Sequence, residues 1–252
     1  MKLLLTLSYD GTGFCGYQVQ KGCRTVQAEL NRAAKELFGV DCDIVGCSRT
    51  DSGVHANMFC ATVAEHNRPY LDLHMETEKV AMALSSHLPN DIAVYQAREV
   101  DDAFHARYDV RSKEYIYRIF NRPVRSPFEE NRSWHIPKPF TEDEIERMND
   151  AAAAFIGKQD FSAFMAQGSN VTGTVRTVFQ SVVEKEGDII TFRVAADGFL
   201  YNMVRIMAGT LVMAAKENIG WSEMRELIAT HDRSRMGITA PPEGLYLNYV
   251  EY

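Results

Sequence analysis

Apolar and polar residues recur along the chain with periods that predict a regular succession of elements. Lys2–Tyr9 reads as a strand ended by the turn residues Asp10-Gly11-Thr12-Gly13. Thr25 suits a helix N-cap; after it Val26, Leu30, Ala33, Ala34 and Leu37 fall at helical spacing, and Gly39 follows the end. Asp43–Cys47 and Met58–Ala64 read as short strands flanking a polar loop. Glu76–Leu88 is helical and stops at Pro89-Asn90-Asp91, and Ile92–Val100 is a strand. The order β-α-β-β-α-β is that of a split βαβ, ferredoxin-like unit.

The remaining residues repeat that order. Lys113–Phe120 alternates like a strand, and Thr141 with Glu144 forms a capping-box pattern opening a helix that runs to about Phe155. Val175–Glu184 and Ile189–Ala196 make a hairpin around Glu186-Gly187-Asp188. Phe199–Ala215 reads as a helix, Ser222–Thr230 as a second, shorter one, and Leu245–Tyr252 as a closing strand. The duplication rests on element order, since no residue-level repeat is visible. The expectation is an α+β protein of two ferredoxin-like (βαββαβ) halves, residues 1–105 and 106–252, joined in one long, mostly antiparallel sheet with helices on one face. No linker rich in Pro, Gly or Ser separates the halves. Gln159–Thr174 reads as an irregular loop long enough to serve as a lid or binding loop.

Composition narrows the class. With 46% hydrophobic and 24% charged residues the chain is an ordinary globular protein. The apolar start, Met1 to Leu7, gives way to Tyr9-Asp10-Gly11 too soon for a signal peptide or a membrane span. Phe199–Ala215, the longest apolar stretch, carries Asn202, Arg205 and Gly209 and reads as a buried helix. A cytoplasmic location is the default. Five cysteines, none in a C-x-x-C pair, argue against a disulfide framework or a zinc site and predict reduced, mostly buried thiols. The net charge of −7 weighs against a nucleic-acid partner. However, Arg107–Arg125 holds six Lys/Arg against only Asp109 and Glu114, either a local phosphate-binding strip or a solvated charged strand.

Three segments hold candidate chemistry. The first is the polar loop Gly46-Cys47-Ser48-Arg49-Thr50-Asp51-Ser52-Gly53-Val54-His55-Ala56. Gly53 can take a positive φ there, and an arginine near Asp51 favours its ionised form, a carboxylate ready to act as nucleophile or base. The plain alternative is a turn in which Asp51 only caps backbone N–H groups. Asp51-Ser52-Gly53 also matches the D-[ST]-G of aspartic proteases, but that site needs a second carboxylate and an all-β frame. Ser48, Ser52 and His55 lack the G-x-S-x-G elbow of a hydrolase, and His55 reads as structural. The second is Arg205, the only charge in Phe199–Ala215; buried, it needs a carboxylate partner, and otherwise it snorkels to water. The third is Lys113-Glu114-Tyr115-Ile116-Tyr117-Arg118, where Tyr115 and Tyr117 share one face, as core residues or as a platform for an unpaired base. The turn Asp10–Gly16 is a weak phosphate-loop candidate without the required lysine.

Taken in order, these segments resemble the TruA family of tRNA pseudouridine synthases. Ser48-Arg49-Thr50-Asp51-Ser52-Gly53-Val54-His55-Ala56 is similar to its G-R-T-D-A-G-V-H-A box. Tyr9 to Phe14 with Gly16-Tyr17-Gln18, Arg24-Thr25-Val26-Gln27, and Phe104-His105-Ala106-Arg107-Tyr108 leading to Tyr115 and Tyr117 also match. So do Asp160 to Phe164, Thr174-Val175-Arg176, Phe199 to Arg205 and Gly244 to Leu247. The chain departs at Tyr17, where tryptophan is usual, at Ser52 for alanine and at Ser48 for glycine. The resemblance implies a cofactor-free isomerase with Asp51 as catalytic nucleophile and Arg49 in the same box. It implies that Tyr115 packs on the target base, that Arg205 reaches the catalytic carboxylate, and that the enzyme is a homodimer. Its substrate would be the anticodon stem-loop of tRNA, at uridines 38, 39 and 40. Basic residues around Arg107–Arg125 would hold phosphates, and no metal or small-molecule cofactor is required. The alternative from another class is a non-catalytic RNA-binding module on the same frame.

Overall fold

A computed structural model describes residues 1–168 and 173–252. The architecture is α+β, with ten strands in mostly antiparallel pairing and five α-helices among the described residues. Two compact units divide the chain, Met1–Arg111 with Tyr246–Tyr252, and Ser112–Leu245.

The first unit runs β1 (Lys2–Tyr9), α1 (Val26–Phe38), β2 (Cys42–Gly46), β3 (His55–Glu65), α2 (Thr77–His87) and β4 (Ile92–Val100). β1 lies between β3 and β4, antiparallel to both, and β2 pairs antiparallel with the end of β3. Leu3, Leu4, Leu5 and Leu7 are all buried, so β1 is covered on both faces rather than alternating. Each such leucine stabilises the fold by roughly 1.5–3 kcal/mol. Thr25 caps α1 by accepting from the Ala28 N–H at 3.3 Å, and Val26, Leu30, Ala33 and Ala34 form its buried stripe. The expected element order is the one found, with β3 beginning at His55, three residues before the expected start.

The second unit holds β5 (Ser112–Phe120), β6 (Trp134–His135), α3 (Glu142–Ala153), β7 (Gly157–Asp160), β8 (Val175–Glu186), β9 (Ile189–Ala196), α4 (Met203–Glu217) and α5 (Trp221–Ala229). β9 is antiparallel to β5 and β8, and β8 to β7, while the short β6 runs parallel to β5. The capping box at Thr141 is complete: Thr141 Oγ1 accepts from Glu144 N–H at 3.2 Å, and Glu144 accepts from Thr141 N–H at 2.7 Å. The final strand, β10 (Leu245–Glu251), pairs Tyr246 and Leu247 in parallel with His55 and Ala56, which ties it to the first unit.

Three expectations are corrected. α4 starts at Met203, not Phe199, because Asn202 sits at φ 59° in the left-handed region, which a right-handed helix cannot include. The Gln159–Thr174 segment is not wholly irregular: Gln159 and Asp160 belong to β7, and Ser162–Phe164 is a 3-10 turn. The rest of that proposed loop includes residues 169–172, which lie outside the described residues. Lastly, only Cys47 and Cys60 of the five free thiols are buried, and Cys23 is exposed.

Candidate active site

The Asp51 loop is fastened to the segment that follows β1. Tyr17 N–H donates to the Thr50 carbonyl at 3.1 Å, Gly53 N–H to the Phe14 carbonyl at 3.4 Å, and Ser52 Oγ to the same Phe14 carbonyl at 3.1 Å. Gly16 makes this close approach feasible: its φ is 91°, and a Cβ there would lie 2.6 Å from the Thr50 oxygen. Below the loop, Tyr9 Oη and Thr50 Oγ1 share a buried hydrogen bond of 2.7 Å. Asp51 is half-buried; its carbonyl accepts from Val54 N–H at 3.2 Å, and Gly53 takes the positive φ, 79°, that the sequence offered. The loop therefore presents a carboxylate from a backbone held on two sides, the pre-organisation a catalytic group requires. Thr50→Val is expected to cost about 1 kcal/mol of stability in a denaturant titration, and to lower kcat more than it raises KM.

His55 and Ser52 are engaged structurally. Gly11 N–H donates to His55 Nδ1 at 2.9 Å, and the buried imidazole stacks on Tyr246 with ring centroids 4.6 Å apart. His55 Nδ1 also lies 3.3 Å from Asp10 Oδ1, and the residue is 2% exposed, a core histidine. The Ser–His–Asp grouping of Ser162, His231 and Asp160 fails as a relay. Ser162 Oγ and Asp160 Oδ2 both approach the same nitrogen, His231 Nδ1, at 3.1 and 3.9 Å, whereas a triad needs opposite ring nitrogens.

Arg49 and Arg107 come together in the first unit, where both line an open recess of about 210 Å³ beside the loop. Both are exposed. The recess also takes in Tyr17, His105 and Tyr108. These residues come from segments far apart in sequence. Tyr17, at the tryptophan position of the resembled family, is buried and stacks on Phe59 at 4.5 Å. Burial raises its hydroxyl pKa above the ordinary tyrosine value.

Arg205 and Tyr115 lie in the second unit. Arg205 occupies the first turn of α4, half-buried, with Nε donating to the Ala240 carbonyl at 2.7 Å and a terminal nitrogen to Asn202 Oδ1 at 2.9 Å. Tyr117 Oη donates to the neighbouring Pro241 carbonyl at 2.7 Å. Segment 237–241 is thus held by Arg205 and Tyr117, and it runs hard against α4 at Gly209. Tyr117 is a core residue, wholly buried, and burial raises its pKa. Tyr115 is 7% exposed and meets Phe199 edge-on at 5.0 Å. Of the basic strip, Arg118 pairs with Glu129 at 3.3 Å and Arg122 with Asp188 at 3.6 Å, so its charge is partly neutralised within the fold. Among the described residues no group of three or more His, Cys, Asp or Glu is placed to hold a metal ion, and no helix is long and apolar enough to cross a membrane.

The sequence profile of the tRNA pseudouridine synthase family matches residues 6–109 and 151–252. The chain belongs to the tRNA pseudouridine synthase family. As a tRNA pseudouridine synthase it is an isomerase acting on tRNA. Similar relatives include tRNA pseudouridine synthase A of Thermoanaerobacter sp. (strain X514), 43% identical over 99% of both chains. That of Ruminiclostridium cellulolyticum is 42% identical over 100% of this chain and 99% of the relative. A third, from Methylacidiphilum infernorum, is 40% identical over 98% and 94%. The stretch of this pseudouridine synthase that matches the family profile includes Arg49, Asp51, Arg107 and Arg205 but not Tyr115.

Proposed function

We propose that the enzyme converts uridine to pseudouridine in the anticodon stem-loop of tRNA, with Asp51 as the nucleophile and no cofactor. The observation that carries this reading is the Asp51 loop. A half-buried carboxylate stands on a backbone pinned by Tyr17, Gly53 and Ser52, in a chain whose family performs this isomerisation. The reaction breaks the N1–C1′ bond, turns the base over, and joins C5 to C1′. C5 gives up its proton and N1 gains one. No electrons are gained or lost, so no redox group or nucleotide triphosphate is required. The target base must leave its stack to reach the carboxylate. Tyr115 then packs on it, and Arg205, Arg49 and Arg107 hold the substrate. The enzyme works as a homodimer in the cytoplasm.

Tritium release from tRNA labelled at C5 of uridine tests the reaction, because only isomerisation exchanges that hydrogen. Purified enzyme is expected to release label from anticodon-arm uridines without added metal or cofactor. Retention of all label with intact binding would leave the RNA-binding module as the answer. Binding should also weaken steeply with salt: phosphate contacts by three arginines make the association constant fall with a log–log slope of about −3 on titrating salt. A flat response would remove phosphate contacts from the account.

A further inference from the structure

We propose that the recess beside the Asp51 loop is a subsite for one tRNA nucleotide adjacent to the target uridine, its phosphate on Arg49 and Arg107 and its base on Tyr108. The inference rests on the tRNA-acting reading above and adds a site and a sequence preference to it. The recess, about 210 Å³, is smaller than the 300–1,000 Å³ typical of pockets that enclose a whole small ligand. Being open, it seats part of one nucleotide rather than enclosing it. Two exposed guanidiniums line it, the residue type suited to phosphate. His105 adds a third donor. Its Nδ1 accepts the backbone N–H groups of Arg107 at 3.1 Å and Tyr108 at 3.3 Å, which leaves the neutral imidazole's proton on Nε2. The His105 ring also braces Tyr108, with centroids 4.2 Å apart. Tyr108 is 74% exposed, and the Arg107 guanidinium lies 5.9 Å from its ring centroid, so aromatic and cation sit together at the mouth of the recess. A braced aromatic beside paired arginines is the arrangement that stacks an unpaired base and holds its backbone. Arg49 is two residues from Asp51, a separation of at most about 7 Å along the chain. An RNA with one base at Asp51 would therefore place a neighbouring nucleotide in the recess, not a distant one.

The test uses two fluorescein-labelled anticodon stem-loops, one intact and one abasic on both sides of the target uridine. Anisotropy gives Kd, and tritium release gives turnover. Tyr108→Ala is expected to weaken binding of the intact RNA about tenfold and to leave the already weakened abasic RNA unchanged. Tyr108→Phe should behave as wild type on both, and Arg107→Ala should flatten the salt slope by about one. Equal losses on the two RNAs, or none on the intact one, would overturn the subsite. The underlying reading fails separately: if the wild type binds but releases no label, the reaction is wrong, while the coupling between Tyr108 and the flanking base is still read from anisotropy alone.

Discussion

Asp51→Asn is expected to lower single-turnover tritium release by on the order of 10⁴-fold or more while leaving the Kd for tRNA within about threefold. The amide copies the carboxylate's shape but not its nucleophilicity. The backbone bonds of Thr50, Gly53 and Asp51, the Ser52 hydroxyl bond to Phe14 and the Tyr9–Thr50 bond do not use the substituted carboxylate. A variant that binds tRNA and melts like the wild type yet does not turn over isolates the chemistry at that one side chain. Turnover within tenfold of wild type would remove Asp51 from the mechanism.

Gly209→Ala should destabilise the second unit by about 3 kcal/mol or more, and lower the thermal midpoint by roughly 6–12 °C. The sign is the reverse of the usual one, because alanine in a helix interior ordinarily gains up to about 1 kcal/mol over glycine. Here a Cβ would run into the Ile238 carbonyl oxygen, far inside the 3.0 Å that real Cβ contacts respect. A Cβ on the opposing Gly237 would likewise run into the Gly209 carbonyl, so the two backbones are in direct contact from both sides. Any shift of segment 237–241 moves the Ala240 carbonyl that orients Arg205. Substrate binding should therefore weaken as well. A scanning calorimetry trace with an unchanged or raised midpoint would show that the two segments have room to part at Gly209.

What could be read from the sequence was what is decided locally. Thr25 and Thr141 cap their helices from within a few residues, and the stripe Val26, Leu30, Ala33, Ala34 needs only the helical repeat. The Asp51 loop was legible because a polar, glycine-bearing stretch between two apolar strands breaks both periodicities and has to leave the sheet. The start of α4 was not, since asparagine tolerates the left-handed region without announcing it, as glycine or proline would. β7 was missed because Gly157-Lys158-Gln159-Asp160 has no apolar alternation; it is a strand by virtue of pairing with β8. The basic strip looked stronger in sequence than it is in space. Glu129 and Asp188, which partner Arg118 and Arg122, lie 11 and 66 residues from them in the chain. The recess was invisible for the same reason, as it joins Tyr17, Arg49 and residues 105–108 through tertiary contacts alone.

Mapping pseudouridine in the anticodon arm of tRNA from cells lacking this protein reaches the central claim most directly. The account predicts that uridines there are left unmodified, that the wild-type chain restores the modification, and that the Asp51→Asn chain does not. Pseudouridine persisting at those positions without the protein, or returning with the Asn variant, would contradict it.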